Sequence, residues 1–146
     1  MRALVVLSLP FLLGGCFGDA VAHTGFTVSA ASAGVTRQTV ERKTDEIVRV
    51  VAQANGLVAL KPQNEGSPSE KTYYGSSGNP VQISFGAKFG RVPVMIHIDE
   101  YFIAHPTEKH RKIVSELTQR LAQAGLEVKK LKAEEELRLR AERGEN

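Results

Sequence analysis

The chain is expected to fold as α+β, a two-layer sandwich. A mainly antiparallel sheet of three to five strands carries two helices on one face, in the manner of a ferredoxin-like variant. Three observations lead there. First, Val81 to Tyr101 reads as one hairpin. A two-residue turn at Gly90-Arg91, with glycine in the first place as type II′ prefers, sets Phe89 against Val92, Ala87 against Val94, Phe85 against Ile96 and Ile83 against Ile98. All four pairs are apolar and share one side. Lys88 with Pro93, Gly86 with Met95, Ser84 with His97 and Gln82 with Asp99 fall on the other. A slip of one residue would turn the whole apolar set to water, so this pattern specifies its register. Second, two flanking segments carry apolar residues at spacings of three and four, the mark of half-buried helices. Third, the element order is strand, helix, strand at each end with the hairpin between.

Taken in order, residues 17–35 are small and weakly polar, and read as a tether with at most a short strand at Phe26-Thr27-Val28. The first helix runs from Arg37 to Ala54. Val40, Thr44, Ile47, Val51 and Ala54 line its apolar side with Val48 flanking, Thr36 caps its start, and Asn55-Gly56 stops it. Leu57 to Leu60 reads as a short buried strand. Lys61 to Pro80 is a long polar connection punctuated by prolines and glycines, in which Tyr73-Tyr74 form a small strand or project as contact residues. Gly75-Ser76-Ser77-Gly78 is a turn; its spacing matches neither a nucleophile elbow nor a phosphate loop. The second helix starts at Pro106 or Thr107, turns His110, Ile113, Val114, Leu117, Leu121 and Ala124 inward, and ends at Gly125. Leu126 to Lys129 is expected as a last, parallel strand. From Lys132 the chain is almost wholly charged and reads as a frayed, exposed helix supported by Glu134–Arg138 and Glu136–Arg140 pairs.

The N-terminus bears on how such a domain is presented. Met1-Arg2 precedes an apolar run from Ala3 to Leu13, which leads into Leu13-Gly14-Gly15-Cys16, and Cys16 is the only cysteine. The run is shorter than the roughly 20 apolar residues that span a bilayer, and Pro10 interrupts it. A charged start, an apolar run and a small-residue site make a secretory leader. Leu13, Gly15 and Cys16 together resemble the lipobox of bacterial lipoprotein precursors, with Gly14 where Ala, Ser or Thr is commoner. The resemblance covers the leader alone, and no domain family is recognised in the rest. It implies that 1–15 is a signal peptide, that 16–35 is a lipidated tether, that 36–131 is the globular domain and that 132–146 is the tail. Acyl chains on Cys16, palmitate among them, would anchor the protein in the cell envelope facing the periplasm. Phe17, where aspartate often retains lipoproteins inside, points to the outer membrane. The competing site, Ala20-Val21-Ala22, would release a soluble periplasmic protein without Cys16, but it lies far beyond the apolar run.

Composition narrows the function classes. Of the 146 residues, 131 remain after the leader (146 less 15), enough for one packed domain. The 19 basic and 16 acidic side chains give +3, or +2 without Arg2, so the chain is nearly balanced and no nucleic-acid partner is expected. No catalytic motif is found, and the expected role is non-enzymatic, without a cofactor. His97, Asp99, Glu100, His105, Glu108 and His110 lie close in sequence, yet their spacing matches no metal motif and His110 belongs to an inward stripe. An envelope enzyme or metal-binding protein using His97 and Asp99 is the alternative. The favoured partner is an envelope protein or envelope component. It would be met by the wetter face of the hairpin, with Gln82, Ser84, Lys88, Met95, His97, Asp99 and Tyr101, and with Tyr73 and Tyr74 at its margin.

Overall fold

The computed structural model describes residues 20–61, 71–86 and 94–142. Among these residues, six strands form one sheet: β1 (Val21–Ala30), β2 (Val58–Ala59), β3 (Thr72–Ser76), β4 (Asn79–Gly86), β5 (Val94–Tyr101) and β6 (Leu126–Lys130). Their order is β2-β3-β4-β5-β1-β6 and every neighbouring pair is antiparallel. The helices are α1 (Arg37–Ala54), α2 (Glu108–Gln123) and α3 (Ala133–Glu142). Without β2, β3 and α3, the remaining β1-α1-β4-β5-α2-β6 is the split βαβ pattern of ferredoxin-like folds. The sheet has one strand more than the expected upper bound because β2 and β3 extend its β4 edge.

The hairpin register is as the alternation requires. Phe85 faces Ile96, Ile83 faces Ile98, and Ser84 faces His97 on the opposite side. The turn at Gly90-Arg91 and the pairs made by residues 87–89 and 91–93 lie outside the described residues. Val81, Ile83, Phe85, Val94, Ile96 and Ile98 pack against Val40, Val48, Val51 and Ala52 of α1 and Ile113, Leu117 and Leu121 of α2 in one core. The buried stripe of α1 is turned by about one residue from expectation: Val48 and Ala52 are fully buried, whereas Ile47 lies at the margin and Ala54 is exposed. Thr44 is tolerated in that core because its hydroxyl donates to the Val40 carbonyl at 2.7 Å. Thr36 and Thr107 cap the two helices. Gly56 and Gly125 take the positive φ that stops them.

Several expectations are corrected. The segment 16–35 is no tether along half of its length, since residues 21–30 form a ten-residue strand between β5 and β6. Its small residues alternate, and Ala22, Thr24, Phe26 and Val28 are buried. The stretch after α1 is an edge strand, not a buried one: Leu57 is buried but Val58 is 58% exposed. The connection 61–80 contains β3, which pairs Tyr74 with Ile83 and places its ring in the helix-side core. β6 pairs with β1 and is antiparallel to it. Finally, α3 is not a solvated tail. It docks on the face opposite α1 and α2, where Leu131 and Leu139 pack with Met95 in a second, small core.

Candidate functional site

Side chains alternate across a strand, so while Ala22, Thr24, Phe26 and Val28 of β1 point to the helices, His23 and Gly25 point to the outer face. The β1–β5 register sets His23 opposite Asp99 and Gly25 opposite His97. The two imidazoles stack, with ring centroids 5.4 Å apart and planes 30° from parallel. Gly25 makes the arrangement possible. A Cβ there would lie 3.0 Å from Glu136 Oε2 and 3.3 Å from both His23 Nε2 and His97 Nδ1.

Glu136 arrives from α3. The Leu131 N–H donates to the Gly25 carbonyl at 2.9 Å, turning the chain back over the sheet, and Leu139 seats the helix beside Met95. The carboxylate then reaches both rings: Oε2 is 2.6 Å from His23 Nε2, and Oε1 is 3.0 Å from His97 Nδ1. Asp99 Oδ1 accepts from the other nitrogen of His23. The contact to His97 is short but out of line with its N–H direction, so neither ring nitrogen of this residue, only 2% exposed, is hydrogen-bonded. Ser84 faces His97 across the β4–β5 ladder, but its hydroxyl is not hydrogen-bonded to either ring nitrogen.

Burial and pairing pull in opposite directions here. Burial disfavours charge on His23, but hydrogen bonds to Asp99 and Glu136 outweigh it and raise its pKa to about 9. Burial would raise the Glu136 pKa, but its bond to His23 and its close contact with the His97 ring hold it well below the usual carboxylate range. For His97 burial prevails and its pKa is lowered, only partly offset by Glu136. At neutral pH the cluster is thus an imidazolium between two carboxylates beside a neutral imidazole. A cleft of about 350 Å³, lined by His23, Gly25, Ala104, Pro106, Leu131 and Glu136, opens beside it.

A second polar network lies on the helix side of the sheet. Glu100 accepts from Thr107 N at 3.0 Å and from Thr107 Oγ1 at 2.7 Å, anchoring the start of α2. His110 Nε2 pairs with Thr24 Oγ1 at 2.9 Å. The six acidic and histidine residues clustered in the sequence therefore divide. His97 and Asp99 are on the outer face, Glu100 and His110 meet between the sheet and α2, and His105 in the connection and Glu108 in the first turn of α2 are exposed.

The expected open recognition face is overturned in its centre. Met95 is buried under α3, and His97 and Ser84 are buried too. Tyr74 points into the core on the other side, whereas Tyr73, Gln82, Asp99 and Tyr101 are half-buried. Lys88, like Cys16, lies outside the described residues. His97 and Asp99 do take part in a cluster, but its remaining members, His23 and Glu136, come from segments read as tether and tail. The one signal for His23 was the alternation of Val21 to Ala30; Glu136 had none beyond its charge. No family model, no curated protein and no solved structure matches this chain.

Proposed function

We propose that this is a lipid-anchored cell-envelope protein whose small α+β domain is a non-enzymatic binding module held close to the bilayer. One observation carries the reading. β1 begins at Val21, five residues after Cys16 (21 less 16), and Ala22 is buried in the sheet opposite Glu100. Cleavage at Gly15-Cys16 leaves that strand whole. Cleavage after Ala22 would cut into it, and would remove the Ala20 carbonyl that accepts the Ile103 N–H at 3.0 Å. Five residues reach at most about 17 Å, so lipid on Cys16 would hold the start of β1 near the headgroups. At this end of the sheet Phe102 stands 87% exposed in a positive-φ conformation, an apolar tip on the side where the bilayer would lie. Among the described residues, no helix is long and apolar enough to cross a membrane.

The test is Cys16→Ser in the native host. The expected result is loss of fatty-acid labelling, accumulation of uncleaved precursor and, for the native chain, a mature N-terminus at Cys16. A native chain that begins at His23 and carries no lipid would refute the reading.

A further inference from the structure

A second property goes beyond the anchored-domain reading and does not depend on it. We propose that His23, His97 and Glu136 bind a divalent transition-metal ion of the zinc class, with Asp99 orienting His23, so that the ion ties α3 to the sheet. One ligand atom from each of the three residues lies within 4.8 Å of the others. A tetrahedral ion with bonds near 2.0–2.1 Å wants neighbouring ligand atoms roughly 3.4 Å apart. Glu136 Oε2 lies 2.6 Å from His23 Nε2 and Oε1 lies 3.0 Å from His97 Nδ1, so the carboxylate would draw back slightly from both rings to admit the ion. Two imidazole nitrogens with one carboxylate suit zinc and its neighbours, and not magnesium or calcium, which take oxygen ligands.

The surroundings favour ligation as well. Asp99 accepts from His23 Nδ1, and the ion would take the place of the proton that Nε2 shares with Glu136, releasing it to solvent and completing the carboxylate–histidine–metal arrangement that sets ring tautomer and orientation. His97 is buried with no hydrogen bond at either nitrogen, a desolvation cost that coordination through Nδ1 would relieve. Gly25 leaves free the volume on which the three ligand atoms converge. The adjoining cleft provides access and room for a water in the fourth position. Since both histidines lie on the sheet and Glu136 on α3, binding the ion and docking the helix are linked.

Calorimetric titration of the chelator-stripped full chain with zinc chloride tests this, alongside hydrogen exchange of α3. The expected result is one zinc ion per chain and slower exchange of the α3 amides when it binds. His23→Gln and Glu136→Gln should each weaken binding at least about 100-fold, and Asp99→Asn about 10-fold, as outer partners of metal ligands do. His105→Gln, an exposed histidine outside the cluster, should bind as the native chain does. Magnesium and calcium should give no heat. Circular dichroism checks folding; should Glu136→Gln unfold, His23→Gln alone decides. Absence of saturable zinc binding would mean that the cluster is a proton-bridged latch only. Equal affinity in His23→Gln, or binding without protection of α3, would place the zinc elsewhere. Either outcome overturns the proposal.

Discussion

His110 shows how one buried side chain couples the fold to pH. It is 1% exposed, Nε2 bonds to Thr24, and Nδ1 lies 3.6 Å from Glu100 Oε2, too far for a hydrogen bond. Burial lowers its pKa; Glu100 and Asp99 oppose that shift, while His23 and Lys130 add to it. The unfolded chain takes up this proton near pH 6.5, the folded chain only at lower pH. Below about pH 6.5 the unfolded state therefore binds more protons at this position, and stability falls as pH falls. His110→Gln should lose that dependence. Its stability relative to the native chain, measured by denaturant titration, should improve as the pH drops from about 7 to about 5. A difference that stays constant across that window would contradict the assignment. That His110 points inward was legible from the helical spacing of Ile113, Leu117 and Leu121. Its partner Thr24 was not, since 86 residues separate the two in sequence.

At the scale of elements, the β4–β5 hairpin is the part most strongly specified by local pattern. Phe85 meets Ile96 across the ladder and is 6% exposed, within the core beneath the two helices. Phe85→Ala should cost about 3–5 kcal/mol by chemical denaturation, the range for a large-to-small change in a packed core. A loss below about 1 kcal/mol would mean that the site collapses or is not buried. Both helices were readable for the same reason: an apolar stripe, a threonine cap and a glycine stop agreed with one another. β1 was not. It is built from Ala, Thr, Gly, His and Ser around one Phe and two Val, so its apolar contrast is weak, although it lies inside the sheet between β5 and β6. Its conformation comes from pairing on both edges, with β5 and with β6, and such non-local pairing outweighs residue preference.

For the molecule as a whole, the sheet is covered unequally. One face holds the main core under α1 and α2, while α3 covers the other through Met95, Leu131, Leu139 and the polar contacts of Glu136. Because this small core is separate, α3 should open on its own without unfolding the rest. Leu139→Ala should speed hydrogen exchange in α3 while amides of β5 and α2 keep their protection. Uniform acceleration throughout would show instead that α3 belongs to the global cooperative unit. The sequence by itself determined the α+β class, the hairpin register, both long helices with their caps, and the side of the sheet on which they pack. All of these follow from periodicities of 2 and 3.6 read over short windows, where each residue's neighbours are also its structural neighbours. Only the tertiary structure decided the place of β1 and the docking of α3. The histidine–carboxylate cluster was decided there too, because His23 meets Glu136 across 113 residues through a few polar contacts. No periodic pattern encodes such a meeting. It arises once β1 lies beside β5 and Leu131 turns the chain back over Gly25.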